Sequence, residues 1–359
     1  MKKYIILGVL ILAIIAMIVG PMINERGGTY PPEEEAPALF TFKDNLATRW
    51  NEIVPLTIKV QGKDIQKLEL IYNDSVFNTW TNPVGTLNYR FNAGFFGLGT
   101  RDLVLLSTLK DGTTYMDNRM VRVLSDVRPE IWIAEISEEY PHEPTSFTQG
   151  LEFNAGILYE STGQKGLSFV AQVDVTTGSI KKKMGLDANY FGEGITVLGS
   201  KLYQLTWQEQ KCFVYNKNTL QLEKELTYNG EGWGLCNDGE SLVMSDGTER
   251  LVFRDPETFQ VQRTVEVYDD RGPVSKLNEL EYVNGMIYAN VWMTNTVVVI
   301  QPENGKVTAV IDGTELVKRG RGTGDVLNGI AYNSANEKLY MTGKNWPKLF
   351  EVRLKKPNV

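Results

Sequence analysis

The chain has 359 residues, 42% of them hydrophobic, with a formal net charge of -7, a sequence pI of 5.1, 7 tryptophans and a single histidine. An acidic chain whose longest basic run is Lys181–Lys183 lacks the electrostatic footprint of a nucleic-acid binder. With His142 as the one histidine and Cys212 and Cys236 as the two cysteines, His-rich metal centres and Ser-His-Asp nucleophiles are excluded from the outset.

Lys2 and Lys3 precede an uncharged apolar stretch from Tyr4 to Met22. At about 1.5 Å per residue this nearly crosses a hydrocarbon core of about 30 Å, so residues 1–24 are predicted to be an uncleaved signal anchor or transmembrane helix. The two lysines then stay inside, and the rest of the chain lies on the extracytoplasmic, periplasmic side, tethered to the inner membrane. Cleavage of the segment would make the chain a secreted one. Residues 25–38, rich in Pro and Glu, read as a linker that has nothing to bury.

Residues 39–127 alternate in short stretches, "PLTIKV", "KLELIY", "TLNYRF", "DLVLLSTL" and "MVRVLS", separated by turn residues. Period-two patterning with frequent turns predicts an immunoglobulin-like β-sandwich. No cluster of chemically useful side chains falls in it, so its expected role is that of a spacer or a docking module.

Residues 128–359 repeat. A small or polar residue and an aliphatic pair open each unit ("QGLEF", "EGITV", "WGLCN", "ELEYV", "NGIAY"). A second strand follows, starting at 158, 202, 242, 287 and 339, in steps of 44, 40, 45 and 52 residues. Four short strands per unit at this period predict a five-bladed β-propeller, because one blade cannot cover both of its faces until its neighbours stack on it. The last unit is one strand short. The segment "EIWIAEIS" at 130–137 is expected to supply that strand and close the ring.

In such a ring, repeat-equivalent positions converge. Gln149, Glu193, Trp233, Asn278 with Glu279, and Asn328 precede the inner strands. Glu160, Trp207, Asp246, Trp292 and Lys344 end the second strands, which gathers one strong acid candidate, Glu193, with carboxamides, tryptophans and a lysine at one mouth. Bland roles stand beside the functional one: the indoles can plug a narrow core, Glu193 can accept backbone N–H groups, and the amides can cap open backbone. Cys212 and Cys236 are expected to be buried free thiols, although an oxidising compartment would permit them to pair.

The segments "YPHEPTSFTQGLEF", "YESTG", "FGEGIT", "LTW", "EGWGL", "SDGT", "NELEY", "ANVW" and "TGKNWPKLFEV" together resemble the glutamine cyclotransferase family of plants and bacteria, over about 230 residues. The resemblance implies a five-bladed propeller that converts N-terminal glutaminyl residues of peptides and proteins to pyroglutamyl with loss of ammonia. Glu193 matches the family's proton-transfer residue, and Gln149, Trp207, Trp233, Asn278, Trp292 and Lys344 match its substrate-binding positions. Glu143 stands where the family more often has Asp. It further implies that no cofactor or metal is required, while a structural cation in the channel stays compatible, and that the chain acts as a monomer on peptides with N-terminal glutamine. The competing readings are a metal-dependent lactonase-like hydrolase, with Glu160, Glu193, Asn278 and Asp246 as oxygen ligands, and a non-catalytic propeller that binds peptides or sugars.

Overall fold

The computed structural model describes residues 36–42 and 46–357; the predicted signal anchor and most of the linker lie outside the described residues. Among the described residues no helix is long and apolar enough to cross a membrane. The chain divides into two compact units. One includes Leu56–Tyr89 and Leu103–Asn118, and the other includes Arg90–Asp102 and everything described from Arg119 onward.

The N-terminal strands form where apolar residues alternate. In Ile53–Val60 the side chains of Val54, Leu56 and Ile58 turn inward, and in Ile65–Tyr72 those of Leu68, Leu70 and Tyr72 do so. A three-stranded sheet orders Ala38–Phe40, Ile53–Val60 and Thr86–Asn92. A five-stranded sheet orders Leu46–Arg49, Thr114–Leu124, Gly99–Leu109, Ile65–Tyr72 and Ser75–Thr81. Ser75–Thr81 escaped the sequence reading because, as an edge strand, it buries no side chain fully and carries no apolar alternation.

The second unit is all-β and propeller-like. Three separate four-stranded sheets are followed by an eight-stranded sheet made of two four-stranded halves joined edge to edge. Their first strands are Thr148–Asn154, Gly192–Leu198, Leu235–Asn237, Leu277–Val283 and Leu327–Asn333, and each later strand pairs antiparallel with the one before it. The fourth strand of the last sheet is Glu130–Pro141, paired antiparallel with Lys348–Lys355, so the strand expected to close the ring does so. Its N-terminal end does something the repeats did not foretell: Glu130–Ile133 also pair parallel with Ala309–Asp312 at the outer edge of the fourth sheet. One long strand thereby covers two edges.

Each sheet interface has its own apolar cluster. Tyr203, Leu205, Cys212 and Val214 of the second sheet meet Leu235, Leu242 and Met244 of the third, and the pattern recurs at the other junctions. Each such side chain contributes about 1.5–3 kcal/mol by leaving water, which no sheet could gain alone. Cys212 and Cys236 are buried free thiols on adjacent sheets, and burial pushes both thiol pKa values upward.

Candidate active site

The inner strands are irregular at one repeated place. Pairing with the second strand slips between Thr148 and Gly150, between Gly192 and Ile195, between Leu277 and Leu280, and between Leu327 and Ile330. The residues left over are Gln149, Glu193 with Gly194, Asn278 with Glu279, and Asn328 with Gly329. A β-bulge frees a residue from the ladder and re-aims its side chain, which lets a polar group stand at the entrance of an apolar strand. The third sheet reaches the same point differently. Its inner strand starts late, and Trp233 is held just before it by a backbone bond to Ser245 of 3.0 Å.

The glycines that follow these residues answer to close packing of the inner strands. A Cβ on Gly194 would lie 2.4 Å from the backbone nitrogen of Leu235, and one on Gly234 would lie 1.9 Å from the carbonyl oxygen of Asn278. Glu193 is therefore flanked by glycine because both neighbours in the chain touch backbone: Gly194 on the third sheet, and Gly192, on which a Cβ would lie 2.6 Å from the Thr162 carbonyl oxygen, on the first.

Glu193 itself is 4% exposed. Gln149 Nε2 donates to Glu193 Oε1 at 3.0 Å, and Asn328 Nδ2 donates in turn to Gln149 Oε1 at 3.3 Å and to the Thr148 carbonyl at 2.9 Å. That carbonyl can only accept, so it fixes which way the Asn328 amide faces. Burial pushes the Glu193 carboxyl well above the ordinary carboxylate range; Lys344 pulls against the rise, while Glu231 and Glu209 add to it. Lys344, also buried, has its ammonium pulled below the usual lysine value by desolvation, with Glu193 and Asp325 opposing.

A half-buried row of rim side chains leads on from Lys344. Lys344 Nζ sits 4.8 Å from the Phe147 ring centroid, Phe147 meets Phe191 at 6.1 Å, and Phe191 meets Trp207 edge-on at 5.6 Å. Glu231 Oε2 accepts from Trp207 Nε1 at 2.8 Å and from Trp233 Nε1 at 3.0 Å. Trp233 and Trp292 cross at 90° with centroids 5.5 Å apart. Burial works to raise Glu231, but hydrogen bonds from Gln208, Trp233 and Trp207 prevail and hold it below its ordinary value.

The structure thus brings Gln149 and Lys344 to Glu193, joins Trp207 and Trp233 through Glu231, and adds Trp292 by an edge-on contact with Trp233. Asn278 occupies the equivalent bulge on the fourth sheet. Its Oδ1, like that of Asn328, is buried with no protein partner among the described residues. The three indoles are half-buried, whereas Trp346, fully buried and bonded to the Asp325 carbonyl, packs in the apolar cluster between the fourth and fifth sheets.

Two expectations need correcting. Glu193 is not the lone acid of the mouth, because Glu231 and Glu209 lie within electrostatic reach of it. Glu160 and Asp246 are not free oxygen ligands. Glu160 accepts from Thr148 Oγ1 at 2.7 Å and meets His142 Nε2 at 3.0 Å, while Asp246 holds Arg250 at 3.0 Å and the Thr248 backbone N–H at 3.0 Å. Among the described residues no group of three or more His, Cys, Asp or Glu side chains is placed to hold a metal ion. Glu279, on the same bulge as Asn278, has a structural role: it accepts the backbone N–H groups of Leu151 and Ile330 and so ties three inner strands together.

Phe147, Phe191 and Glu231 were missed in the sequence. A signal for them existed, since they stand two residues before Gln149, Glu193 and Trp233 respectively, and Lys276, whose Nζ lies 5.7 Å from the Trp292 ring, stands two before Asn278. The repeat alignment contains a second register of rim residues beside the first.

Comparison with known proteins agrees with this geometry. The chain is 41% identical over 228 residues to a glutaminyl-peptide cyclotransferase of Arabidopsis thaliana, covering 62% of this chain and 71% of that one. It superposes on the crystal structure of Myxococcus xanthus glutaminyl cyclase with a TM-score of 0.61 at 40% identity, covering 64% of this chain and 100% of the other. The family model described as glutamine cyclotransferase matches residues 106–354, a span that holds every bulge and every rim residue named above, and the chain belongs to that family.

Proposed function

We propose that Glu193 is the proton shuttle of a metal-independent cyclisation carried out at this mouth. The chain is a glutaminyl-peptide cyclotransferase: the α-amine of an N-terminal glutaminyl residue attacks its own γ-carboxamide carbon, a tetrahedral centre forms, and ammonia leaves as the pyroglutamyl ring closes. The observation that carries the assignment of Glu193 is its place, buried, bonded to Gln149 and within electrostatic reach of Lys344 and of Glu231, the acid that accepts from two indoles. With Oε1 held by Gln149, the other oxygen is available to take a proton from the α-ammonium and deliver it to the departing nitrogen. A carboxyl raised toward neutrality can do both.

Lys344 is the cation whose charge pulls that carboxyl down, and in this reading it stabilises the negative γ-oxygen of the tetrahedral centre. The unpartnered Oδ1 atoms of Asn278 and Asn328 match the two N–H donors of a carboxamide, which a glutamate side chain lacks. Trp207, Trp233 and Trp292 wall the folded side chain and reduce the entropy lost on reaching the transition state.

Full-length protein incubated with a Gln-initiated peptide is expected to release one ammonia per peptide, and to do so at an unchanged rate after treatment with EDTA. A rate abolished by EDTA and restored by a divalent metal would reject metal independence. Lys344→Met should move the acid limb of the kcat/KM profile to higher pH, because the cation that holds the Glu193 pKa down is gone. An acid limb unmoved or moved to lower pH would separate Lys344 from Glu193.

The finer architecture is also our assignment. The four-stranded sheets from residue 130 to residue 355 are read as five blades, supported by the repeated bulge, and the two N-terminal sheets as an immunoglobulin-like sandwich. Tethering to the membrane on the periplasmic side rests on the apolar stretch from Tyr4 to Met22. One chain supplies every group named at the mouth, which supports action as a monomer.

A further inference from the structure

A second cleft, of about 630 Å³, opens between the second and third four-stranded sheets and is lined in part by Glu209, Lys211, Tyr228, Arg254 and Phe259. Its volume is in the range of small-molecule sites. Arg254 is the unusual member. Pairing between the third and fourth strands of four successive sheets slips at one equivalent point, immediately before Val173, Tyr215, Arg254 and Ile300. All four side chains are buried, and the other three are apolar or aromatic, so the fold does not call for a cation there.

Arg254 is 7% exposed. Its Nη1 donates to the Phe259 carbonyl at 2.9 Å, and its guanidinium lies 4.8 Å from the Phe259 ring and 5.6 Å from that of Tyr228. Its Nε is buried without a partner among the described residues. The acids around it are already engaged: Asp246 with Arg250, Asp255 with the backbone of Glu257 and Thr258, and Glu209 with Lys165. A buried cation with an unused donor and no bonded counter-charge, only the charge of Asp246 acting from a distance, is costly to keep. A guanidinium resting against two rings that touch each other presents a rigid fork that suits a carboxylate.

We propose that this cleft is a carboxylate-binding site in which Arg254 is the anion receptor. Lys211 adds a second cation to the lining, 33% exposed and only loosely held by Glu225 at 3.4 Å. The cleft borders the active-site rim, because Glu209 follows Trp207 by two residues and Tyr228 precedes Glu231 by three. The carboxylate can therefore come from an acidic residue downstream in the peptide being cyclised, a source that rests on the cyclase reading above, or from a separate small acid.

Two measurements on the full chain and on Arg254→Leu distinguish these sources. Calorimetric titration with succinate tests the separate acid and does not depend on catalysis. KM values for Gln-initiated peptides carrying one Glu at successive downstream positions, against Ala at the same positions, test the peptide. Removing the fork is expected to weaken succinate binding, or to erase a KM advantage of the acidic peptides, by about 10-fold or more, with kcat on the neutral peptide unchanged. The arm that responds identifies the source. If Arg254→Leu does not fold, Arg254→Lys, which keeps the charge and loses the fork, is read the same way. A variant that binds succinate as the wild type does and shows the same KM pattern overturns the proposal.

Discussion

Glu193→Gln is expected to lower kcat for N-terminal glutaminyl cyclisation by about 10²–10⁴, the contribution of a positioned proton-transfer group. The replacement is nearly isosteric, and its carbonyl oxygen can still accept from Gln149 Nε2, so the bulge and the amide chain back to Asn328 stay in place. What disappears is the titratable proton. In the wild type the acid limb of kcat/KM should lie above the ordinary carboxylate range, because desolvation and the charges of Glu231 and Glu209 outweigh Lys344 at Glu193. Activity therefore rises as pH rises through that elevated value. KM for the peptide should change little, since the indoles and the carboxamides remain. A variant with wild-type kcat would end the shuttle assignment while leaving the family membership untouched.

The second large effect concerns stability. His142 is buried at the closing seam: its Nδ1 lies 2.7 Å from the Trp346 carbonyl and its Nε2 3.0 Å from Glu160, which belongs to the first sheet. Both ring nitrogens face acceptors, so the protonated imidazolium is the form the site favours. Burial opposes this, but the Glu160 charge and the hydrogen bonds that the ring donates to Glu160 and to the Trp346 carbonyl prevail and raise the His142 pKa above its ordinary value. Glu160→Leu leaves that cation without a counter-charge and should cost about 3–5 kcal/mol in urea unfolding.

Because the folded pKa lies above the unfolded value of about 6.5, the stabilisation is fully present below that value and is lost as pH rises through the folded pKa. Wild-type protein should therefore lose stability on that alkaline side, and Glu160→Leu should show no such slope there. As His142 is the single histidine, its ring nitrogens give an unambiguous NMR titration. A neutral ring throughout that range, or a variant as stable as the wild type, would refute the ion pair.

Much of the site was legible in the sequence because it repeats. Gln149, Glu193, Asn278 and Asn328 sit at one repeated offset, and stacking similar sheets around a hub turns that offset into proximity. Phe147, Phe191 and Glu231 were less visible: a half-exposed aromatic or acid before a strand looks like an ordinary loop residue until Trp207 and Trp233 are seen donating to the same carboxylate. Arg254 stood in plain view at a buried repeat position, but its unused Nε becomes apparent only when its neighbours are known.

By itself the sequence determined the period of the second unit, the number of its strands and the closing strand at its start, because strand alternation and repeat spacing are local properties of the chain; the family was legible in its motifs, through their resemblance to glutamine cyclotransferases. Only the tertiary structure decided that Glu160 belongs to His142, that Glu231 joins two indoles, and that Glu193 keeps company with two other acids. Those are choices among partners far apart in the chain. They turn on desolvation and on distances of about one hydrogen bond, which residue order alone does not specify.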